Sequence, residues 1–208
     1  KDYDQDRFAV VDGRETVIYL KPGDANQYQS NDGGKTLEMI KKFSLANMTD
    51  LHKIQYRITP KAMISSLEQV KVYEGDTLLT VTNVSTLGRQ ASTGVITVEQ
   101  ELDLTKNYRV ELEGYGSKAV LPIGIFDSDY FAENFHYDGN DLGATINGEN
   151  TTFKVWAPTA SKVVLNLFEA GNGCDAYKQV DMVLGEKGVW SHTEACGHGT
   201  YYTYTVTT

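Results

Sequence analysis

No apolar run in this 208-residue sequence approaches the ~18–20 residues that a membrane-spanning helix requires, so no helical membrane span is expected. Positive charge is also scarce. Against 28 Asp and Glu stand 19 Lys and Arg, a formal net charge of −9, and the basic footprint of a protein that holds nucleic acid or anionic lipid is missing. A neutral or cationic ligand fits that balance better. There are only two cysteines, Cys174 and Cys196, outside any CxxC or CxxH spacing, which argues against a zinc site. They read as one disulfide or as two free thiols, and are too few for a disulfide-dependent scaffold. Neither HExxH nor GxSxG occurs. The opening "KDYDQDRF" has no signal-peptide core, although a cleaved signal or a trimmed chain would look the same.

What the sequence does have is short strands separated by turns. The segments "TVIYLKP" (16–22), "HKIQYRI" (52–58), "GVITVEQEL" (94–102), "NYRVELEG" (107–114) and "KAVLPIGIF" (118–126) are strand-like, and "SNDGGK" (30–35) has hairpin-turn chemistry. "EQVKVYEGDTLLTVTNV" (68–84) predicts two strands around Glu74-Gly75-Asp76. "KTLEMIKKFSL" (35–45) fits a helix and a strand almost equally. An aromatic, acidic stretch without a clean period, "IFDSDYFAENFHYDGNDLG" (125–143), suits a linker. A second strand series follows at 152–157, 162–169, 179–184, 188–194 and 200–207. The expected fold is therefore all-β: two consecutive small antiparallel β-sandwich modules, the second immunoglobulin-like, over 1–125 and 126–208 with a linker at about 126–143.

"TTFKVWAPTASKVVLNLF" (151–168) is the most patterned segment. Phe153 and Val155 share one face and Lys154 and Trp156 the other, Pro158 ends the strand, and Val163, Leu165 and Leu167 supply the apolar face of the next. It predicts the first hairpin of the second sandwich. Trp156 and Trp190 both read as buried. In "GTYYTYTV" (199–206), Tyr202, Tyr204 and Val206 share one face, which leaves Tyr201 as the ring free to meet a ligand.

Thirteen tyrosines and two tryptophans suit a sugar-binding surface, where flat rings remove pyranose C–H area from water, and equally suit sandwich cores. "DGNDLGATINGE" (138–149) invites a calcium loop with Asp138, Asn140, Gly143 and Glu149 at positions 1, 3, 6 and 12. Leu142 at position 5 cannot ligate and the flanks are not helical, so an acidic turn is the expected reading and calcium the weaker one. His192 and His198 flank Cys196 in what reads as an exposed loop. No catalytic site is expected.

The linked features Tyr137-Asp138-Gly139, Asp141-Leu142-Gly143, "TTFKVWAPTA", "GEKGVWS" (185–191) and "GTYYTYTV", in that order, resemble the family 48 carbohydrate-binding module of type I pullulanases. Residues 1–125 are similar to that family's additional N-terminal β module more loosely. The resemblance implies a parent enzyme that hydrolyses α-1,6 linkages in pullulan, starch or glycogen from a C-terminal (β/α)₈ barrel, with a retaining Asp/Glu pair. The family's Tyr-Asn-Trp-Gly motif is absent, and the chain ends before a barrel begins, so no hydrolysis by this polypeptide alone is expected. A secreted or cell-surface bacterial location would suit a polymeric substrate. Glucan-binding members often carry a tryptophan in the loop after the Val/Leu strand. Here "FEAGNGCDAY" (168–177) offers only Tyr177, so docking on the missing barrel is the favoured role. The carbohydrate-contact candidates are Tyr177, Trp190 and Tyr201. The alternatives are a stand-alone starch-binding module and a generic two-sandwich interaction protein.

Overall fold

The computed structural model describes residues 17–23, 26–60, 64, 66–86 and 93–208. Residues 1–15 of the expected first module, and Thr16 of its first strand, lie outside the described residues. In chain order the first strands are β1 (Tyr19–Leu20), β2 (Gln27–Gln29), β3 (Glu38–Met39), β4 (Lys42–Asp50), β5 (Lys53–Thr59), β6 (Val70–Glu74) and β7 (Thr77–Leu79). Then come β8 (Val81–Thr86), β9 (Thr93–Val98), β10 (Tyr108–Leu112) and β11 (Gly116–Ala119). The ambiguous 35–45 segment thus holds no helix: Glu38–Met39 and the start of Lys42–Asp50 are strand. Lys42–Asp50 pairs along its length with β5, and tertiary pairing decides what the local pattern left open.

β1-β2-β3 make a small antiparallel sheet, while β4-β5-β9-β8 and β11-β10-β6-β7 are two four-stranded sheets. Alternation explains how the larger two meet. Ile54, Tyr56 and Ile58 of β5, Ile96 and Val98 of β9, Val70 and Val72 of β6, and Val110 and Leu112 of β10 all point inward into one buried cluster. The Gly75-Asp76 turn joins β6 to β7 as a hairpin, with Glu74 opposite Thr77.

After β11 the chain runs beside β4, where Met48 N–H donates to Leu121 O and Leu121 N–H to Ala46 O. It then forms a 3₁₀ turn, Pro122–Ile125, and helix α1 (Asp129–Phe135). Ser128 caps α1 by accepting from Phe131 N–H. The expected linker is therefore ordered around a helix. Ile125 is fully buried in the first core, and Phe131 and Phe135 pack against the same core.

The second half contains β12 (Gly143–Asn147), β13 (Asn150–Trp156), β14 (Lys162–Phe168), β15 (Lys178–Asp181), β16 (Val183–Leu184), β17 (Val189–Glu194) and β18 (Tyr201–Thr207). They form two antiparallel sheets, β12-β13-β17-β16 and β15-β14-β18. Phe153, Val163, Leu165, Leu167, Met182 and Trp190 fill the space between them. The predicted hairpin of 151–168 is corrected here, because β13 and β14 lie in opposite sheets. Residues 157–161 make the corner between them: Ala157 N–H donates to Gly188 O and Ala160 N–H to Ala157 O. Pro158, with no N–H of its own, cannot continue the ladder, and the chain turns there into the second sheet. Among the described residues no helix is long and apolar enough to cross a membrane.

Candidate functional site

The outer face of sheet β15-β14-β18 collects the side chains best suited to a ligand. Along β14 the odd positions Val163, Leu165 and Leu167 are completely buried, so the even positions Lys162, Val164, Asn166 and Phe168 face away from the core. The register builds rows across the three strands. Asn166 lies between Gln179 and Thr203, and Phe168 stands opposite Tyr201. Tyr177, one residue before β15, donates its N–H to Leu167 O at 2.9 Å and so runs alongside the end of β14. By alternation with Gln179 it belongs to the outer row. Tyr177, Phe168 and Tyr201 thus cross the sheet at one end, with Tyr177 50% and Tyr201 52% exposed.

The Tyr201 ring also lies over Gly171, where an added Cβ would come within 3.0 Å of Cε1. Phe168, Gly171, Cys174, Thr200, Tyr201 and Thr203 line a shallow groove there.

The next row is polar and internally satisfied. Gln179 Nε2 donates to Asn166 Oδ1 at 2.8 Å, and Asn166 Nδ2 donates to Thr205 Oγ1 at 3.0 Å and Thr203 Oγ1 at 3.3 Å. Asn166 is 5% exposed, so its amide is held by neighbours on both sides while Gln179 and the threonine hydroxyls sit nearer the surface. Beyond it, Lys162 and Asp181 pair at 2.9 Å in an exposed position. Ring faces beside neutral amides and hydroxyls suit an uncharged polyhydroxylated ligand, whose C–H faces stack and whose hydroxyls exchange hydrogen bonds.

The three expected contact residues part company. Tyr177 and Tyr201 share this outer face. Trp190 does not: it is 7% exposed, fills the space between the sheets and donates its indole N–H to Ala157 O at 3.0 Å. Trp156, expected in the core, is 40% exposed, because its face of β13 looks toward α1 rather than into the sandwich. Phe168, not singled out beforehand, was marked by its even position on a strand whose odd positions are apolar.

The acidic 138–149 stretch is placed differently from a wrapping loop. Gly143–Asn147 is an edge strand paired with β13. Asp141 accepts from the Tyr137 hydroxyl and from Lys154 Nζ, the latter at 2.5 Å, and these two bonds hold its carboxyl below the usual range. Among the described residues no group of three or more His, Cys, Asp and Glu is arranged to hold a metal ion. Cys174 and Cys196 are both free thiols. His192 approaches Glu194 at 3.3 Å, and Lys178 reaches Glu194 at 2.8 Å from the opposite sheet. The Lys178 bond first, and then His192, keep the Glu194 carboxyl below its ordinary value.

Residues 141–208 match the model of carbohydrate-binding module 48 (isoamylase N-terminal domain). A pullulanase of Bacillus subtilis (strain 168) is 34% identical over 79 residues, which is 38% of this chain and 10% of that protein. A pullulanase from Anoxybacillus sp. LM18-11, solved in complex with maltotetraose, superposes with a TM-score of 0.56 at 26% identity, covering 78% of this chain and 22% of that one. Pullulanase from Bacillus acidopullulyticus shares the fold, with a TM-score of 0.69 over 80% of this chain and 34% of that one, at 16% identity.

The chain thus spans about a tenth of the curated relative and between about a fifth and a third of these solved structures. Part of the chain is similar to part of a pullulanase, and its second sandwich is the stretch that matches the carbohydrate-binding module 48 model. The outer face described above lies wholly within the matched residues.

Proposed function

We propose that the chain is the accessory region of an enzyme that hydrolyses α-1,6-glucosidic linkages in pullulan, starch or glycogen, and that it engages the α-glucan through the outer face of β15-β14-β18. The observation that carries the binding part is the row Tyr177, Phe168 and Tyr201, set beside the Asn166–Gln179–Thr203–Thr205 hydrogen-bond row. Adjacent strands are ~4.8 Å apart, so a row across three strands spans roughly 10 Å, about the length of a disaccharide segment. A glucan lying along the row stacks on the rings and turns its hydroxyls toward Gln179 and Thr203. The net charge of −9 does not oppose a neutral polymer.

The same proposal gives the modules a partner, a catalytic barrel C-terminal to them. Exposed apolar residues on the edge strand β16, Val183 at 68% and Leu184 at 43%, supply area for such packing. A secreted or cell-surface location suits a substrate too large to enter a cell. Hydrolysis itself is assigned to the barrel.

Native gels cast with and without pullulan test the binding. Retardation of the chain, lost in a Tyr177→Ala/Tyr201→Ala double variant that still folds, is the expected result. Unretarded wild type, or unchanged retardation of the double variant, removes this face as the glucan site. Release of reducing ends from pullulan by the chain alone would overturn the accessory role.

A further inference from the structure

Lys187 is the one residue other than glycine with positive φ among the described residues, at 57°. That region is strained for a side-chain-bearing residue, and it persists only where the surroundings impose it. The tight turn between β16 and β17, closed by Gly185 N–H donating to Val189 O at 2.8 Å, imposes it here and sets Lys187 against the C-terminal end of α1. A helix leaves its last carbonyls without intrahelical partners. In α1 two of them are taken up by the other half of the chain: Phe135 O accepts from Trp156 Nε1 at 2.9 Å, and Glu133 O accepts from Lys187 Nζ. The indole N–H is shared with Lys187 O at 3.0 Å, and the Trp156 ring meets Phe131 edge to face with centroids 6.2 Å apart.

Each partner belongs to a different core. Phe131 and Phe135 pack on the first core, whereas Trp156 and Lys187 flank strands that enclose the second. The left-handed turn lets one residue aim its carbonyl at the indole while its ammonium reaches a helix carbonyl.

We infer that Trp156 and Lys187 form a clasp on the end of α1 that locks the two sandwiches into one rigid body. The clasp fixes the angle at which the outer face of β15-β14-β18 is carried relative to the first sandwich, and it stands whether or not that face binds glucan. Lys187 and Trp156 act here as positioning residues. Relaxing the backbone at Lys187 would withdraw both the carbonyl and the ammonium from the seam.

Small-angle X-ray scattering of the 208-residue chain, beside a Trp156→Phe/Lys187→Met variant, tests this. Phe keeps an aromatic ring against Phe131 and drops the N–H, while Met keeps the stem and drops the charge. The variant is expected to show a larger radius of gyration and a long-distance shoulder absent from wild type. Trp156→Phe also leaves Trp190 as the sole indole, so unchanged Trp190 emission shows that the second sandwich is still folded. Two results overturn the inference: a broad distance distribution in wild type, or variant scattering identical to wild type with Trp190 native. If Trp190 emission shifts to that of an unfolded chain, Lys187→Met alone, which alters no buried side chain, is judged by the same scattering criterion.

Discussion

Trp190 donates its indole N–H to the carbonyl oxygen of Ala157 at 3.0 Å, so a strand in the middle of one sheet holds the corner at which the chain leaves that sheet for the other. The bond spans 33 positions of sequence and stands at the point where a ladder pairing is no longer available. The two tryptophans therefore have separate duties, one inside the second sandwich and one at the seam outside it.

Replacing Trp190 by Ala should cost roughly 3–5 kcal/mol, through lost burial, an unfilled cavity and the loss of one of the two hydrogen bonds that the Ala157 carbonyl accepts. Trp156→Ala, removing a ring that is 40% exposed, should cost less. Denaturant midpoints of the two variants give the order directly. Equal losses would place Trp156 in the core after all.

Gly188 should not tolerate a methyl group. Its φ is +75°, and an added Cβ would lie 2.5 Å from Cβ of Pro158, at the same corner. Gly188→Ala combines left-handed strain with a clash against a rigid ring, and a loss of about 1–3 kcal/mol is expected in denaturant melts. Gly173→Ala, also at positive φ but with no atom within 4 Å, isolates the strain from the clash and should cost less.

Acid should loosen the edge between the sheets of the second sandwich. Glu194 has its pKa lowered in the fold, first by Lys178 and then by His192. A lowered carboxylate pKa contributes stability that is complete above the unfolded value of about 4.3 and is lost as pH falls through the folded value. Lys178→Met removes the leading cause, so stability should depend less steeply on pH below ~5. Chemical unfolding at a series of acid pH values measures that slope.

Alkali acts on different groups. Burial pushes the Tyr108 hydroxyl up to about 12 and raises that of Tyr204 as well. A raised folded pKa means stability that is complete below the unfolded tyrosine value of about 10 and lost as pH climbs through the folded values. Part of the phenolate absorbance should therefore appear only together with loss of the β-sheet circular dichroism. Tyr204→Phe should shrink that late phase at the cost of one hydrogen bond to Lys154 O, 3.3 Å in the native protein. A late phase of unchanged size would mean that Tyr204 ionises within the folded protein.

Alternation makes much of this structure legible in the sequence. Val163, Leu165 and Leu167 do form one buried face, Tyr202 and Tyr204 do turn to the same core, and the Glu74-Gly75-Asp76 turn does separate two strands. Alternation assigns faces, however, and not partners. It could not tell that β13 and β14 sit in opposite sheets, because the choice is made at Pro158 and Gly188, far apart in sequence.

Helix α1 was hidden for a different reason. Phe131 and Phe135 are four residues apart and share the face turned to the first core, but a helix of seven residues offers only that one spaced pair, too little for a helical period to stand out. Of the outer face, Tyr177 and Tyr201 were visible as unassigned rings. The Asn166 network was not, since its members come from three strands whose register no local pattern encodes.

That register also bears on the order in which the protein is made. Lys162 of β14 is paired with Thr207 of β18, and Thr151 of β13 with Glu194 of β17, so both sheets of the second sandwich close over long stretches of chain. Non-local pairings are slow to form, and on the ribosome the central strand β14 must wait for β18 to emerge. Until then Val163, Leu165 and Leu167 have one neighbouring strand at most. The first sandwich, whose strands are complete by Ala119, can fold ahead of its neighbour and offer α1 as the template onto which the later sandwich assembles.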